Sequence, residues 1–178
     1  GAATPSTDWH AQVLYLVIPD RFRNGDPTND TAAPGCFDPT SPQKLHGGDF
    51  AGLAANLGYL TGLGATAVWI TPPNLQIGPQ GSDCGYHGYW IDYTDPPDDA
   101  LAPNLGTPDE LASLVDAMHG AGLRFVLDMV VNHTGNTARL PAEHPSWFHD
   151  PATCAQLGSA DVYCPLDHHP DFAQGQPE

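Results

Sequence analysis

Fixed positive charge is scarce in this chain. Arg21, Arg23, Lys44, Arg124 and Arg139 are its only lysines and arginines in 178 residues, and 21 aspartates and glutamates leave a formal charge of -16. Such an excess speaks against nucleic acid and anionic membranes as partners, and leaves neutral ligands and metal ions open. No stretch approaches the roughly 20 consecutive apolar residues of a membrane helix, and no signal-type apolar segment follows Gly1. The expectation is a soluble chain that has already been processed. Cysteine is limited to Cys36, Cys84, Cys154 and Cys164, none with the Cys-x-x-Cys spacing of a zinc site. All four lie in connecting stretches rich in glycine and proline. Two disulfides in an oxidising compartment, and hence a secreted or periplasmic location, are preferred over reduced and inert thiols. Cys154 with Cys164 is the more plausible local bridge because only a short loop is closed; Cys36 with Cys84 follows by elimination alone.

What is present alternates between strand and helix signals. With 40% hydrophobic residues, a chain of this length can bury one core, or a core and a small excursion. Residues 13–18 form a continuous apolar run stopped by Pro19, as expected of a strand buried on both sides. Residues 20–48 are too rich in Gly, Pro, Asn and Asp for helix or strand. Asp49 then caps a helix whose Phe50, Leu53, Leu57 and Leu60 repeat at helical spacing, with Gly62 and Gly64 at its end. Residues 66–71 read as a second buried strand, broken by Pro72 and Pro73. Thr107, Pro108 and Glu110 supply an N-cap, a first-turn proline and a capping-box acid for a helix that buries Leu111, Leu114, Val115 and Met118. Residues 123–131 read as the third strand, and the rhythm as a whole predicts a parallel sheet.

That third strand runs into Asp128, Asn132 and His133. Polar side chains at the C-terminal end of a barrel strand face the mouth where chemistry is done. The fold expected is α/β, a partial (β/α)8 TIM barrel made of the first three strands and the first two helices. Residues 1–131 are its N-terminal part, and residues 132–178, which hold no run of core length, are an irregular excursion. A closed barrel needs eight strands and about 250 residues, so three strands leave a raw apolar edge. The expectation is a truncation, or one product of a nicked polypeptide, with the C-terminal remainder of the barrel joined to it covalently or as a bound second chain.

Two clusters carry chemistry. Asn24, Asp26, Asn29 and Asp30 put four oxygen-bearing side chains within seven residues, on a segment bent by Gly25 and Pro27. Hard oxygen donors on a tight loop suit calcium; a solvated Asx-turn loop is the alternative. Tyr86, His87, Tyr89 and Trp90 crowd rings into a loop with Gly85 and Gly88. A flat aromatic face beside imidazoles suits a sugar, whose ring offers apolar C–H faces and polar edges. Core packing is the alternative, above all for Trp90. Asn29 and Asn132 each start a glycosylation sequon, a weak signal that is discounted.

Four ordered segments carry a family resemblance: residues 20–30, from Asp20-Arg21-Phe22 through Asn24-Gly25-Asp26 to Asn29-Asp30; His46-Gly47-Gly48-Asp49-Phe50; Gly85-Tyr86-His87-Gly88-Tyr89-Trp90; and residues 128–133. Together they resemble the α-amylase family of glycoside hydrolases, closely over residues 13–133. Residues 170–174, followed by Pro177 and Glu178, are loosely similar to the segment before that family's fourth strand. The resemblance implies a TIM-barrel domain A over residues 1–131 and the start of domain B over residues 132–178. It implies calcium held by Asn24, Asp26, Asn29, Asp30, the Gly47 carbonyl and Asp49, with Asn132 and Asp171 as ligands of a possible second calcium. Tyr89 is expected to stack on the sugar beside the cleaved bond, with Trp90 close by and His87 and His133 contacting the same sugar. Asp128 is implied to support catalysis by orienting an arginine. The family's nucleophile, acid/base and stabilising carboxylates sit on the fourth, fifth and seventh strands, so none is expected here.

The function expected is the N-terminal portion of a retaining glycosidase or transglycosylase acting on α-1,4-glucans such as starch, maltooligosaccharides and cyclodextrins, inactive by itself. A non-catalytic carbohydrate-binding or structural fragment of the same fold is the alternative. A calcium-buffer or adhesion module would leave the aromatic cluster and His133 unexplained.

Overall fold

The computed structural model describes residues 8–93, 101–166 and 168–174. Pro177 and Glu178, part of the loose similarity near the C-terminus, lie outside the described residues. Three strands, β1 (Leu14–Val17), β2 (Ala67–Ile70) and β3 (Arg124–Leu127), form one parallel sheet in sequential order. The register sets Tyr15 beside Val68 and Val68 beside Phe125, and Val17 beside Ile70 and Ile70 beside Leu127. Parallel neighbours need a crossover, and helices supply it. This is the opening section of a β/α barrel, as the alternation of strand and helix signals predicts.

The core lies between the sheet and its helices. Val17, Val68 and Ile70 pack with Phe50, Leu53 and Leu57 and with Leu114 and Met118. Each fully buried side chain of this size contributes roughly 1.5–3 kcal/mol of transfer free energy. The opposite face of the sheet is bare in part: Leu14 and Leu16 are each 47% exposed. Strand β1 is therefore buried on one side, not on both as its continuous apolar run suggests, because in a barrel the inner face is covered only by strands from across the interior.

Helix α4 (Pro108–Gly120) begins as expected. The Thr107 hydroxyl accepts from the Glu110 N–H, and the Glu110 carboxylate accepts from the Thr107 N–H at 2.7 Å. The single helix expected after Asp49 is two, α2 (Phe50–Ala55) and α3 (Leu57–Gly62), parted at Asn56. There the Asn56 side chain donates to the Gly52 carbonyl at 2.7 Å, a local bond that competes with the helical ladder. Pro19 does more than stop β1, because it opens a four-residue helix, α1 (Pro19–Phe22), inside a region expected to lack any. Its fixed φ suits a first helical position.

Strand β3 ends at Leu127, four residues short of the apolar run that suggested it. The last ladder bond runs from the Asp128 N–H to the Ile70 carbonyl at 3.2 Å. Met129 and Val131, 64% and 63% exposed, lie past the end of β2 and have no neighbour to pair with. Beyond them the chain is irregular, with the short helices α5 (Leu140–Glu143) and α6 (Ala160–Tyr163). Both disulfides are those expected, Cys36–Cys84 and Cys154–Cys164. No described helix is long and apolar enough to cross a membrane.

Candidate functional site

The loop after β2 and the segment after β3 meet at the C-terminal end of the sheet. Gly88 makes the loop possible: its φ is +91°, and a Cβ there would lie 2.2 Å from the Pro72 carbonyl oxygen. The Gln76 side chain holds the far edge, accepting from the Trp90 N–H at 2.8 Å and donating to the Gly88 carbonyl at 3.2 Å. His87 stacks on Tyr89 with ring centroids 5.9 Å apart and an interplanar angle of 18°, and meets Trp90 edge-on at 4.9 Å. His133 arrives from the third strand's side and stacks with His169 at 5.2 Å. The four expected sugar-contact residues, His87, Tyr89, Trp90 and His133, thus share one cluster.

Tyr89 is held at each of its polar groups. Its N–H donates to His87 Nδ1 at 3.0 Å, its carbonyl accepts from His133 Nε2 at 3.3 Å, and its hydroxyl donates to Asp128 Oδ2 at 2.6 Å. An Nδ1 that accepts carries no proton, so neutral His87 keeps its proton on Nε2. Partial burial and the Asp128 carboxylate, which accepts the phenolic hydrogen bond, push the Tyr89 phenol up to about 12. The phenol therefore stays a donor at every ordinary pH. The residue is 36% exposed. A fixed aromatic face with its polar edges tied back is what a sugar ring can stack on without ordering a mobile side chain.

Asp128 accepts the hydrogen bond of this phenol. His169 was missed by sequence reasoning: it lies against His133 and, at 6.3 Å, against Trp90, yet a histidine in a run rich in His, Pro and Asp carries no local signal. A neighbouring cavity of about 350 Å³ is lined by Pro72, Leu75, Ile77, Tyr86 and the Cys36–Cys84 bridge. None of His87, Tyr89, Trp90 and His133 lines it, so the rings converge outside it.

The expected calcium loop packs against the start of α2. Asp49, fully buried, accepts from the Gly52 N–H at 2.6 Å as the helix cap, from the Asp26 N–H at 2.7 Å, and from the Gly25 N–H at 3.0 and 3.1 Å. The Asn24 amide donates to Asp30 Oδ1 at 2.7 Å. Gly47, at φ +85°, sits so close that a Cβ would lie 2.4 Å from Asp30 Oδ1 and 2.7 Å from the Asn24 amide nitrogen. The Thr28 hydroxyl, with the Thr28 N–H, holds the Asp26 carboxyl below the usual range, so it stays charged.

The oxygens Asn24 Oδ1 and Asn29 Oδ1 are buried with no hydrogen-bond partner among the described residues. Orphaned acceptors of this kind are costly unless something fills them, and two together beside Asp30 fit a hard cation. Among the described residues no group of three or more His, Cys, Asp or Glu could hold a metal ion. Any site here would therefore draw on amide and carbonyl oxygen as well as on carboxylate. Asn132 and Asp171 are brought near through backbone: the Phe172 N–H donates to the Asn132 carbonyl at 2.8 Å, and residues 133 and 171 form an antiparallel bridge. The buried Asp171 carboxylate is engaged by His149 Nδ1 at 2.7 Å. Asn132 is exposed, and neither side chain adds a buried orphaned oxygen of the kind seen at Asn24 and Asn29.

Comparison with known proteins gives the geometry a family. A family model described as alpha amylase, catalytic domain, matches residues 16–173. The chain is 38% identical over 151 residues to the beta/alpha-amylase of Paenibacillus polymyxa, covering 81% of this chain and 12% of that protein. It is 41% identical over 138 residues to the periplasmic alpha-amylase of Escherichia coli (strain K12), covering 72% of this chain and 20% of that protein. The crystal structure of an Anoxybacillus alpha-amylase superposes with a TM-score of 0.79 at 31% identity, over 97% of this chain and 36% of that one. This chain thus spans between about an eighth and a third of the relatives it resembles. It belongs to the alpha-amylase family, and residues 16–173 fall within the family's catalytic domain.

Proposed function

We propose that this chain is the sugar-gripping and calcium-binding portion of a retaining enzyme that cleaves or transfers α-1,4-linked glucans, in a secreted or periplasmic setting. The observation that carries the reading is Tyr89, pinned by His87, His133 and Asp128 so that its ring presents a fixed face. In this reading Tyr89 stacks on a glucose unit, Trp90 backs His87, and the N–H of His87 donates to a sugar hydroxyl. Residues 1–131 form part of the barrel domain, and residues 132–178 begin domain B.

Retaining chemistry needs two carboxyl groups about 5 Å apart. The carboxylate that meets this cluster is Asp128, and it is occupied by the Tyr89 phenol. The nucleophile and acid/base are therefore proposed to come from the C-terminal remainder of the barrel, either covalently joined or as a second chain. A carbohydrate-binding fragment of the same fold would share the grip and lack that partner.

Titration with maltoheptaose tests the grip. Tyr89→Ala is expected to weaken binding about tenfold, the loss of ~1.4 kcal/mol of stacking and ordering. An unchanged affinity in that variant removes the sugar assignment. The 18.9 kDa chain alone is expected to bind without cleaving, and starch breakdown by that species overturns the division of labour.

Calcium is proposed to sit between Asn24, Asp26, Asn29, Asp30, the Gly47 carbonyl and Asp49. When bound, it supplies a multidentate cross-link between the loop and the N-terminus of α2. At a calcium level of 100 times the Kd, binding adds about 2.7 kcal/mol to stability. Excess chelator is thus expected to lower the melting temperature by several degrees, and a melting curve indifferent to chelator counts against the site. Calorimetric stoichiometry tests the second pair, Asn132 and Asp171: one equivalent of calcium leaves Asp171 with His149, and two displace it.

A further inference from the structure

We propose that Arg21 is a positioning residue for the sugar cluster, acting through Tyr86 on His87 and thereby on Tyr89; the sugar part of this inference rests on the reading above. The guanidinium of Arg21 lies over the Tyr86 ring, 3.8 Å from its centroid. Two fixed acceptors keep it there. Asp20, buried and held by the N–H groups of His46 and Gly47, takes one arm, and the Pro42 carbonyl takes the other at 2.8 Å. A guanidinium with both ends tied is a rigid plate, which a lysine ammonium is not. The loaded face of Tyr86 then presents its ring to His87 at 5.2 Å, inclined by 74°.

The consequence for His87 is electrostatic as well as steric. Burial holds the His87 imidazole below its usual range, and the positive charges of His169 and Arg21 lower it further, opposed by Asp83. The groups facing His87 are thus Arg21, Asp83 and His169, with the phenols of Tyr86 and Tyr89, and Asp128 behind Tyr89. Only neutral His87 can accept the Tyr89 N–H through Nδ1. Protonation removes that bond and frees one of the three points that fix the stacking ring. Arg21 lies well over fifty residues from this loop in sequence, and it acts on the cluster through the Tyr86 ring and on His87 through its charge.

The test measures two quantities on the protein as isolated: the titration midpoint of His87 by NMR, and the affinity for maltoheptaose as a function of pH. In Arg21→Gln the midpoint is expected to move upward toward an ordinary imidazole. Sugar affinity at neutral pH is expected to fall about three- to tenfold, with its acid-side decline starting at higher pH. Arg21→Lys, which keeps the charge, is expected to restore the midpoint and only part of the affinity. Should Arg21→Gln not fold, Tyr86→Leu leaves the Asp20–Arg21 pair in place and is expected to give the same weakening of affinity. A folded Arg21→Gln or Tyr86→Leu variant with an unchanged His87 midpoint and unchanged affinity overturns the proposal. If even the unaltered protein ignores maltoheptaose, the sugar reading fails, and the His87 titration still decides whether Arg21 sets this residue.

Discussion

Replacing Asp49 with alanine is expected to lower the unfolding free energy by about 4 kcal/mol, a large share of the roughly 5–15 kcal/mol that holds a domain together. The carboxylate caps α2 through the Gly52 N–H and also takes the N–H groups of Gly25 and Asp26. Loss of the cap costs about 1–2 kcal/mol, and each of the other donors left without a partner adds about 1 kcal/mol or more. Gly25 and Gly52 are in backbone contact, so that a Cβ on Gly25 would lie 2.2 Å from the Gly52 nitrogen, and both donors stay aimed at the vacated position. Asp49→Asn keeps the cap oxygen and is expected to lose about half as much. Urea denaturation in excess chelator separates this from calcium: a backbone clamp costs the same with and without the metal. A loss below about 1 kcal/mol without calcium would show that Asp49 matters only as a ligand.

Asp49 also shows how much of the fold was legible. Its capping role is local, three residues from its partner Gly52, and so is the reciprocal pair of Thr107 and Glu110 at α4. Sequence patterns give such features because donor and acceptor are fixed by helical geometry. Its bonds to Gly25 and Asp26 reach across more than twenty residues and have no pattern. The same division explains the elements that differ. Apolar spacing at Phe50, Leu53, Leu57 and Leu60 serves an unbroken helix and a helix broken at Asn56 equally well. Met129 and Val131 look like strand because they are apolar, but a strand needs a neighbour, and β2 has ended at Ile70. Leu14 and Leu16 read as doubly buried because hydrophobicity cannot say which face the helices cover.

The candidate site divides in a similar way. His87, Tyr89, Trp90 and His133 were found as residue types at strand ends and through family motifs, and the structure brings them into one cluster. What the sequence could not carry was how they hold one another. The pairing of the Tyr89 hydroxyl with Asp128, the stacking of His169 on His133, and the Arg21–Tyr86 contact each join segments that meet only after the sheet has formed. Their residue types are unremarkable in isolation. The amide oxygens of Asn24 and Asn29 were visible as candidate donors, but only burial shows that no group among the described residues satisfies them.

Removing the Cys36–Cys84 bridge is expected to cost about 4 kcal/mol and to weaken the sugar grip, whereas removing Cys154–Cys164 is expected to cost about 3 kcal/mol and leave the grip unchanged. The first bridge spans 48 residues and the second 10, and a longer closed loop restricts the unfolded chain more. The larger difference is in where each bridge acts. Cys36 and Cys84 are buried with Leu45, and Ala33 and Tyr86 pack on them, forming a small core of their own apart from the main one. Without the covalent link, that core has Leu45 as its one large buried side chain to hold the residue after Cys84, and Gly85 leads directly into Tyr86 and His87. Tyr86 then loses the floor beneath the face that Arg21 covers, and His87 loses its edge contact. Cys154 and Cys164 close the turn that carries α6, and no contact of either cysteine reaches Tyr89 or His87. Paired Cys→Ala variants at each bridge, compared by urea denaturation and by maltoheptaose titration, decide the matter. Equal losses of affinity from both bridges, or a loss confined to the Cys154–Cys164 variant, would mean that the loop after β2 holds its shape without the covalent tie.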